Sequence, residues 1–177
     1  MSFMRNIRML TRYSAWANSL LYLALGELPE NELSKPRQIV FGNLIRTLNH
    51  VYIIDLVWRA HLEGKSHGFK TRNPDLHGTF SELRAAQATL DSWYMRHAEE
   101  MSDRLGEEIV EFTFIGGGDG AMTRGDILLH VVNHTTYHRG HIAAMMQQIP
   151  AQPPTTDLPV FLRNAALQTD RGPRGPL

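Results

Sequence analysis

Apolar residues return every three to four positions through four long stretches of this chain, the spacing that places them on one face of an α-helix. The first stretch runs from about Met4 to Leu28, with Ile7, Leu10, Tyr13, Ala17, Leu21, Ala24 and Leu28 on one side, and Pro29 stops it. A second helix is predicted after Ser34-Lys35-Pro36, where serine can cap and proline is tolerated in a first turn. It continues through Ile39, Leu44, Leu48, Val51, Ile54 and Trp58 to Gly64. Thr79-Phe80-Ser81-Glu82 has the form of a capping box, so a third helix is predicted from there to about Leu105. Thr123-Arg124-Gly125-Asp126 opens a fourth, which ends near Ile149-Pro150. Each helix carries an apolar stripe that has to be covered, and four of them predict an all-α four-helix bundle.

The segments between them are short or irregular. Lys65 to Gly78 is polar and reads as a loop. Ile109, Val110, Phe112, Thr113 and Phe114 favour extended structure, and Gly116-Gly117-Gly118-Asp119-Gly120 cannot hold a regular element, so a small β-ribbon is predicted before the last long helix. The glycine run is not followed by Gly-Lys-Ser/Thr, which argues against a phosphate loop. Pro159 to Leu167 is a short helical candidate. A chain of 177 residues is the size of one domain, expected over residues 1–167, with residues 168–177 as a flexible tail.

Eighteen Lys and Arg balance eighteen Asp and Glu, which leaves no basic excess for nucleic acid. No segment reaches the 18 or so apolar residues that a membrane helix needs, and the first residues lack a secretory h-region, so the cytoplasm is the expected location. There is no cysteine, so any metal must be held by nitrogen or oxygen.

Histidine is the residue type that stands out. Nine are present, and His130, His134, His138 and His141 fall on the fourth helix within roughly 80° of one another at 100° per residue. His130 and His138 are separated by about 12 Å of axial rise, so one ion cannot reach all four. It can reach a neighbouring i,i+4 pair, either His130 with His134 or His134 with His138, and spacing alone does not choose between them. A third ligand has to come from a facing helix. His50 and His61 are the candidates on the second helix; His50 is the better one, because it lies mid-helix between Leu48 and Val51, where an unsatisfied imidazole would be costly. His67, His77 and His97 read as solvent or loop residues.

The stretches "LIRTLNHVYIIDLVWRAHLEG" from Leu44 to Gly64, "TRGDILLHVVNHTTYHRGHI" from Thr123 to Ile142 and "YSAWANSLLYLAL" from Tyr13 to Leu25 resemble the DinB and YfiT-like family of metal-dependent four-helix-bundle proteins. The resemblance implies an up-down-down-up bundle, usually a homodimer, with one divalent transition metal ion (zinc, nickel or iron). It places the metal ligands on His50, within the family's Leu-x-His pattern, and on His134 and His138, within His-x-x-x-His-Arg-Gly. Most members follow His-Arg-Gly with glutamine; this chain has His141, an extra imidazole on the same face. His141 and His130 are therefore candidates for supporting the ligands from behind. The resemblance also implies a metal-dependent transferase or hydrolase acting on a small electrophile, with a low-molecular-weight thiol such as bacillithiol or mycothiol as cosubstrate. The alternative is a non-catalytic metal-binding or dimeric interaction protein.

Asp55 and Arg139 complete the candidates near the ligands: Asp55 to orient an imidazole, Arg139 to hold a carboxylate or, with more weight, to pack the helices. Asn49, Asn133 and Tyr137 neighbour the ligands in sequence but point about 100° away. Trp16, Tyr22, Trp58 and Trp93 are expected in the core or at a dimer interface.

Overall fold

The computed structural model describes residues 3–75 and 78–170. His77 and the part of the expected tail beyond residue 170 lie outside that range. In chain order the elements are α1 (Phe3–Gly26), α2 (Glu30–Ser34), α3 (Leu44–Leu62), α4 (Phe80–Glu100), α5 (Asp103–Gly106), β1 (Ile109–Thr113), β2 (Asp119–Thr123), α6 (Arg124–Met146) and α7 (Leu158–Asp170).

The four long helices are α1, α3, α4 and α6, and their side-chain pairings give the directions. Arg8 reaches Ala98 and Asn18 reaches Asp91, so α1 and α4 are antiparallel. On the other flank, Leu62 accepts from Arg124 while His50 meets His134, so α3 and α6 are antiparallel. Leu48 packs with Leu83 at one end, and Trp58 and Leu62 with Tyr94 and Ala98 at the other, so α3 and α4 run the same way. In chain order the helices go up, down, down, up. The parallel step from α3 to α4 requires the chain to return along the bundle, which is why residues 63–79 are long.

Two start and stop points differ from the periodicity. The second long helix begins at Leu44, not after Pro36. Arg37 donates to the carbonyls of Glu32 and Lys35 and to the Glu32 carboxylate, Gly42 takes φ +80°, and Asn43 accepts from Arg46 N–H at 2.9 Å. These bonds hold 35–43 in a turn and make Asn43 the cap. The third long helix ends at Glu100, because Met101 is extended and Ser102 caps the separate turn α5. Arg8 satisfies the freed carbonyls of Ala98 and Met101 at 3.2 and 2.7 Å. The capping box at Thr79 forms as its sequence predicts, with Glu82 accepting from Thr79 N–H.

The β-ribbon pairs Ile109 with Thr123 and Phe112 with Gly120. Its turn passes through Gly116, Gly117 and Gly118, all at φ above +90°, a region that excludes most side chains. At Gly120 the reason for glycine is space: a Cβ there would meet the Phe112 ring at 2.6 Å. No helix among the described residues is long and apolar enough to cross a membrane.

Candidate metal centre

The antiparallel crossing of α3 and α6 sets His50 against the i,i+4 pair His134 and His138. One ring nitrogen from each of the three lies within 4.8 Å of the others, a grouping that could hold a metal ion. His50 and His138 are buried and His134 is half-buried. The ring centroids are 5.1, 4.8 and 4.5 Å apart for the pairs 50–134, 50–138 and 134–138.

Hydrogen bonding fixes how the rings are presented. His50 donates from Nδ1 to the carbonyl of Arg72 at 2.9 Å. A carbonyl can only accept, so the proton sits on Nδ1 and the Nε2 lone pair faces inward. There it meets Nε2 of His134 at 3.2 Å, while Nδ1 of His134 is buried with no partner among the described residues. If His134 carries its proton on Nε2, a buried lone pair at Nδ1 is left over; if on Nδ1, a buried N–H is left over and two lone pairs oppose each other. The protein atoms of the described residues alone do not close this network. Two nitrogens about 2.0–2.1 Å from a shared tetrahedral ion stand about 3.3–3.4 Å apart, close to the spacing found, so the donor set fits a divalent transition metal.

The electrostatics agree. Burial, helped by the neighbouring charges of His138, His50 and His130, pushes His134 down to about 3. His138 is pushed down to about 4 by burial and by His50 and His141. His50 is also lowered, by burial first and with a contribution from the Arg72 guanidinium. All three are neutral near pH 7, the form that binds a metal.

Of the other histidines, His141 shares a hydrogen bond with His138, Nδ1 to Nδ1 at 3.3 Å. His130 stands one turn before His134 with its ring centroid 5.9 Å away, packed edge-on against Trp58, and falls outside the group of three nitrogens. His61 lies three turns further along α3, beside His67 and Phe112. His97 is not a loop residue: it is half-buried on α4, stacked on Trp93 at 4.6 Å.

Asp55 and Arg139 point elsewhere. Asp55 is five residues past His50, about 140° around the helix. It is buried on the opposite flank, where Gln87 donates to it at 3.1 Å and its own backbone carbonyl accepts from Tyr94. Its carboxyl is raised well above the usual range by burial and by Asp91. Arg139 is turned about 100° from His138, donates to Tyr13 Oη and Thr136 Oγ1, each at 3.0 Å, and ties α6 to α1. Asn133 is exposed. The aromatic residues expected at a dimer interface have partners within the chain: Trp16 packs on Phe161, Tyr22 stacks on Phe80 and Trp93 packs on His97.

Two contributors carry no local sequence signal. Phe41 stacks on His50 with centroids 4.1 Å apart. Arg72 supplies its carbonyl from the 65–78 loop, and Asn49, next to His50, holds that loop by donating to Asn73 and to the Pro74 carbonyl at 2.5 and 2.7 Å.

The histidines open into a cleft of about 510 Å³, walled by Phe41, Ile54, Val57, Trp58, Phe112 and Ile115. Tyr137, Val40 and Phe114 form part of its rim.

Residues 1–172 match the family model described as "DinB family". The chain is 32% identical to Protein DinB of Bacillus subtilis (strain 168) over 170 residues, covering 86% of this chain and 91% of that protein. A crystal structure of a DinB-like protein from Bacillus cereus ATCC 10987 superposes with a TM-score of 0.61 at 18% identity, covering 86% of this chain and 94% of that one.

Proposed function

The chain belongs to the DinB family, and on that premise we propose that it is a metal-dependent transferase or hydrolase, with His50, His134 and His138 as the metal ligands and a small electrophile as substrate. The observation that carries the reading is the set of three convergent neutral imidazoles at the floor of a cleft large enough for a small molecule. A zinc, nickel or ferrous ion held there would supply a Lewis acid with a free position, able to lower the pKa of a bound water or thiol.

The chain's own residues prepare that position. The Arg72 carbonyl sets the tautomer of His50, and His141 fixes the ring of His138. Phe41, Trp58 and Phe112 keep bulk water from the imidazoles and lower the local dielectric, which strengthens any charge interaction in the cleft. The chain has no cysteine, so a thiol nucleophile would have to arrive from solution, which supports a low-molecular-weight thiol as cosubstrate. A homodimer is part of the proposal on the strength of the family resemblance; light scattering is expected to give about twice the 20.1 kDa of one chain.

Metal analysis of the purified protein is the first test, followed by transfer and hydrolysis assays with a panel of thiols, alkylating agents and esters. One equivalent of metal, with turnover that is lost on chelation and restored by metal, supports the enzyme. A full equivalent of metal with no turnover across the panel supports the non-catalytic metal-binding protein, and the absence of metal uptake overturns both.

A further inference from the structure

The wall of the cleft is built from aliphatic and aromatic side chains and five histidines, and among its described lining residues Arg72 alone carries a full charge at neutral pH. No acidic side chain among the described residues lines it. No carboxylate among the described residues forms a salt bridge with Arg72. Its backbone is nonetheless held: the carbonyl of Arg72 is taken by His50, and the next two residues are tied to Asn49. The backbone from which the guanidinium extends is therefore fixed beside the histidines.

The apolar surface continues past the opening. Val40, Phe114 and Tyr137 stand on the rim at 69%, 49% and 64% exposure, more than a soluble surface normally leaves to side chains of that kind in one place. Inside, Trp58 and Phe112 cross edge to face at 4.9 Å and give the wall its aromatic surface.

We propose that the cleft takes a planar apolar molecule bearing one carboxylate or similar monoanionic group, its body against Trp58 and Phe112 and its anion on Arg72. Resting on the reading of this cleft as the substrate site, it names the substrate class. Arg72 is the one fixed cation among the described lining residues, so it favours an anionic group beside it and repels a cationic one. A guanidinium also suits a carboxylate geometrically, since its planar fork can donate two parallel hydrogen bonds.

Calorimetric titration at pH 7.5 with 2-naphthoate, 2-naphthamide and 2-naphthylmethylammonium tests this, first on metal-free protein so that the carboxylate cannot gain by binding an ion. Naphthoate is expected to bind about tenfold more tightly than the amide, the preference weakening with salt because Arg72 is exposed. Arg72→Gln is expected to bring acid and amide to within about twofold while leaving the amide's affinity unchanged, and Arg72→Lys to keep part of the preference. Circular dichroism of both variants checks that the fold is intact. Equal binding of acid and amide by the wild-type protein, an undiminished preference in Arg72→Gln, or no binding of any of the three overturns the proposal. The same titrations on zinc-loaded protein separate it from the metal reading. Loss of the charge preference in a protein that takes up one zinc ion removes only the substrate class, and a preserved preference in a protein that takes up none removes only the metal.

Discussion

Nε2 of His50 and Nε2 of His134 face each other at 3.2 Å, from helices that meet only through tertiary packing. His138 completes the group and His130 does not. Replacing His50, His134 or His138 by alanine is expected to reduce metal affinity by orders of magnitude. His130→Ala should weaken it by no more than about 10 to 100-fold, as for a group acting through a ligand. Competition against a coloured chelator at pH 7.5 measures both. Greater loss in His130→Ala than in His138→Ala would place the ion one turn nearer the start of α6.

Acid should destabilise the metal-free protein through these imidazoles. His134 titrates near 3 when folded against about 6.5 when unfolded, so below pH 6.5 the unfolded state binds the extra proton. The stabilisation is complete above pH 6.5 and is lost as pH falls toward 3. Between pH 7.5 and 4.5 this one residue should remove roughly 2–3 kcal/mol. Urea unfolding at the two pH values is expected to show a smaller loss in His134→Asn than in the wild type.

Asp91 should act with the opposite sign. Burial raises its carboxyl to about 6, partly offset by hydrogen bonds from Gln87 and Asn18 and by the charge of Arg139. Below the unfolded value near 4 both states are protonated; above it the unfolded state ionises first, so stability is lost as pH rises from about 4 through 6. The stability of Asp91→Asn relative to the wild type is expected to grow by roughly 2–3 kcal/mol between pH 4 and pH 8. Denaturant midpoints at the two pH values give that difference directly, and an unchanged difference would mean that Asp91 titrates at the same pH folded and unfolded.

Gly120→Ala should disturb the cleft from outside. The new methyl would meet the Phe112 ring at 2.6 Å, and that ring both lines the cleft and packs on Trp58. A destabilisation of about 1–3 kcal/mol is expected from such overpacking. Gly117→Ala strains a φ of +98° in open space and should lower stability without moving Phe112. Thermal unfolding of both, with the near-ultraviolet signal of Trp58 as the second readout, separates the two effects.

Thr79→Ala removes the hydroxyl that accepts from Glu82 N–H at 3.2 Å at the start of α4. A loss of about 1 kcal/mol is expected, with metal affinity unchanged because this cap stands outside the cleft. Chemical denaturation and the chelator competition together test that separation.

The sequence by itself determined what depends on neighbours along the chain. The periodicity of Ile7 to Leu25, the capping box at Thr79 and the glycine turn at 116–118 are local, and each forms where its residues place it. The i,i+4 spacing of His134 and His138 is equally local, because the helical screw alone brings such side chains together. Where local signals compete, longer bonds override them: Ser34 and Pro36 favour a helix start, but Arg37 and Asn43 gather the same segment into a turn through bonds across several residues. Helical spacing leaves open which imidazole pair meets His50; the resemblance places it at His134 and His138, and the axial offset of α3 against α6, a quantity no single helix contains, is what brings that pair to His50. Only the tertiary structure decided that Asp55 and Arg139 belong to the opposite flanks, that Phe41 and the Arg72 carbonyl hold His50, and that Trp16, Tyr22 and Trp93 find partners within the chain. Backbone carbonyls and ring contacts carry no residue-type signature, so they become visible only when distant segments are packed together.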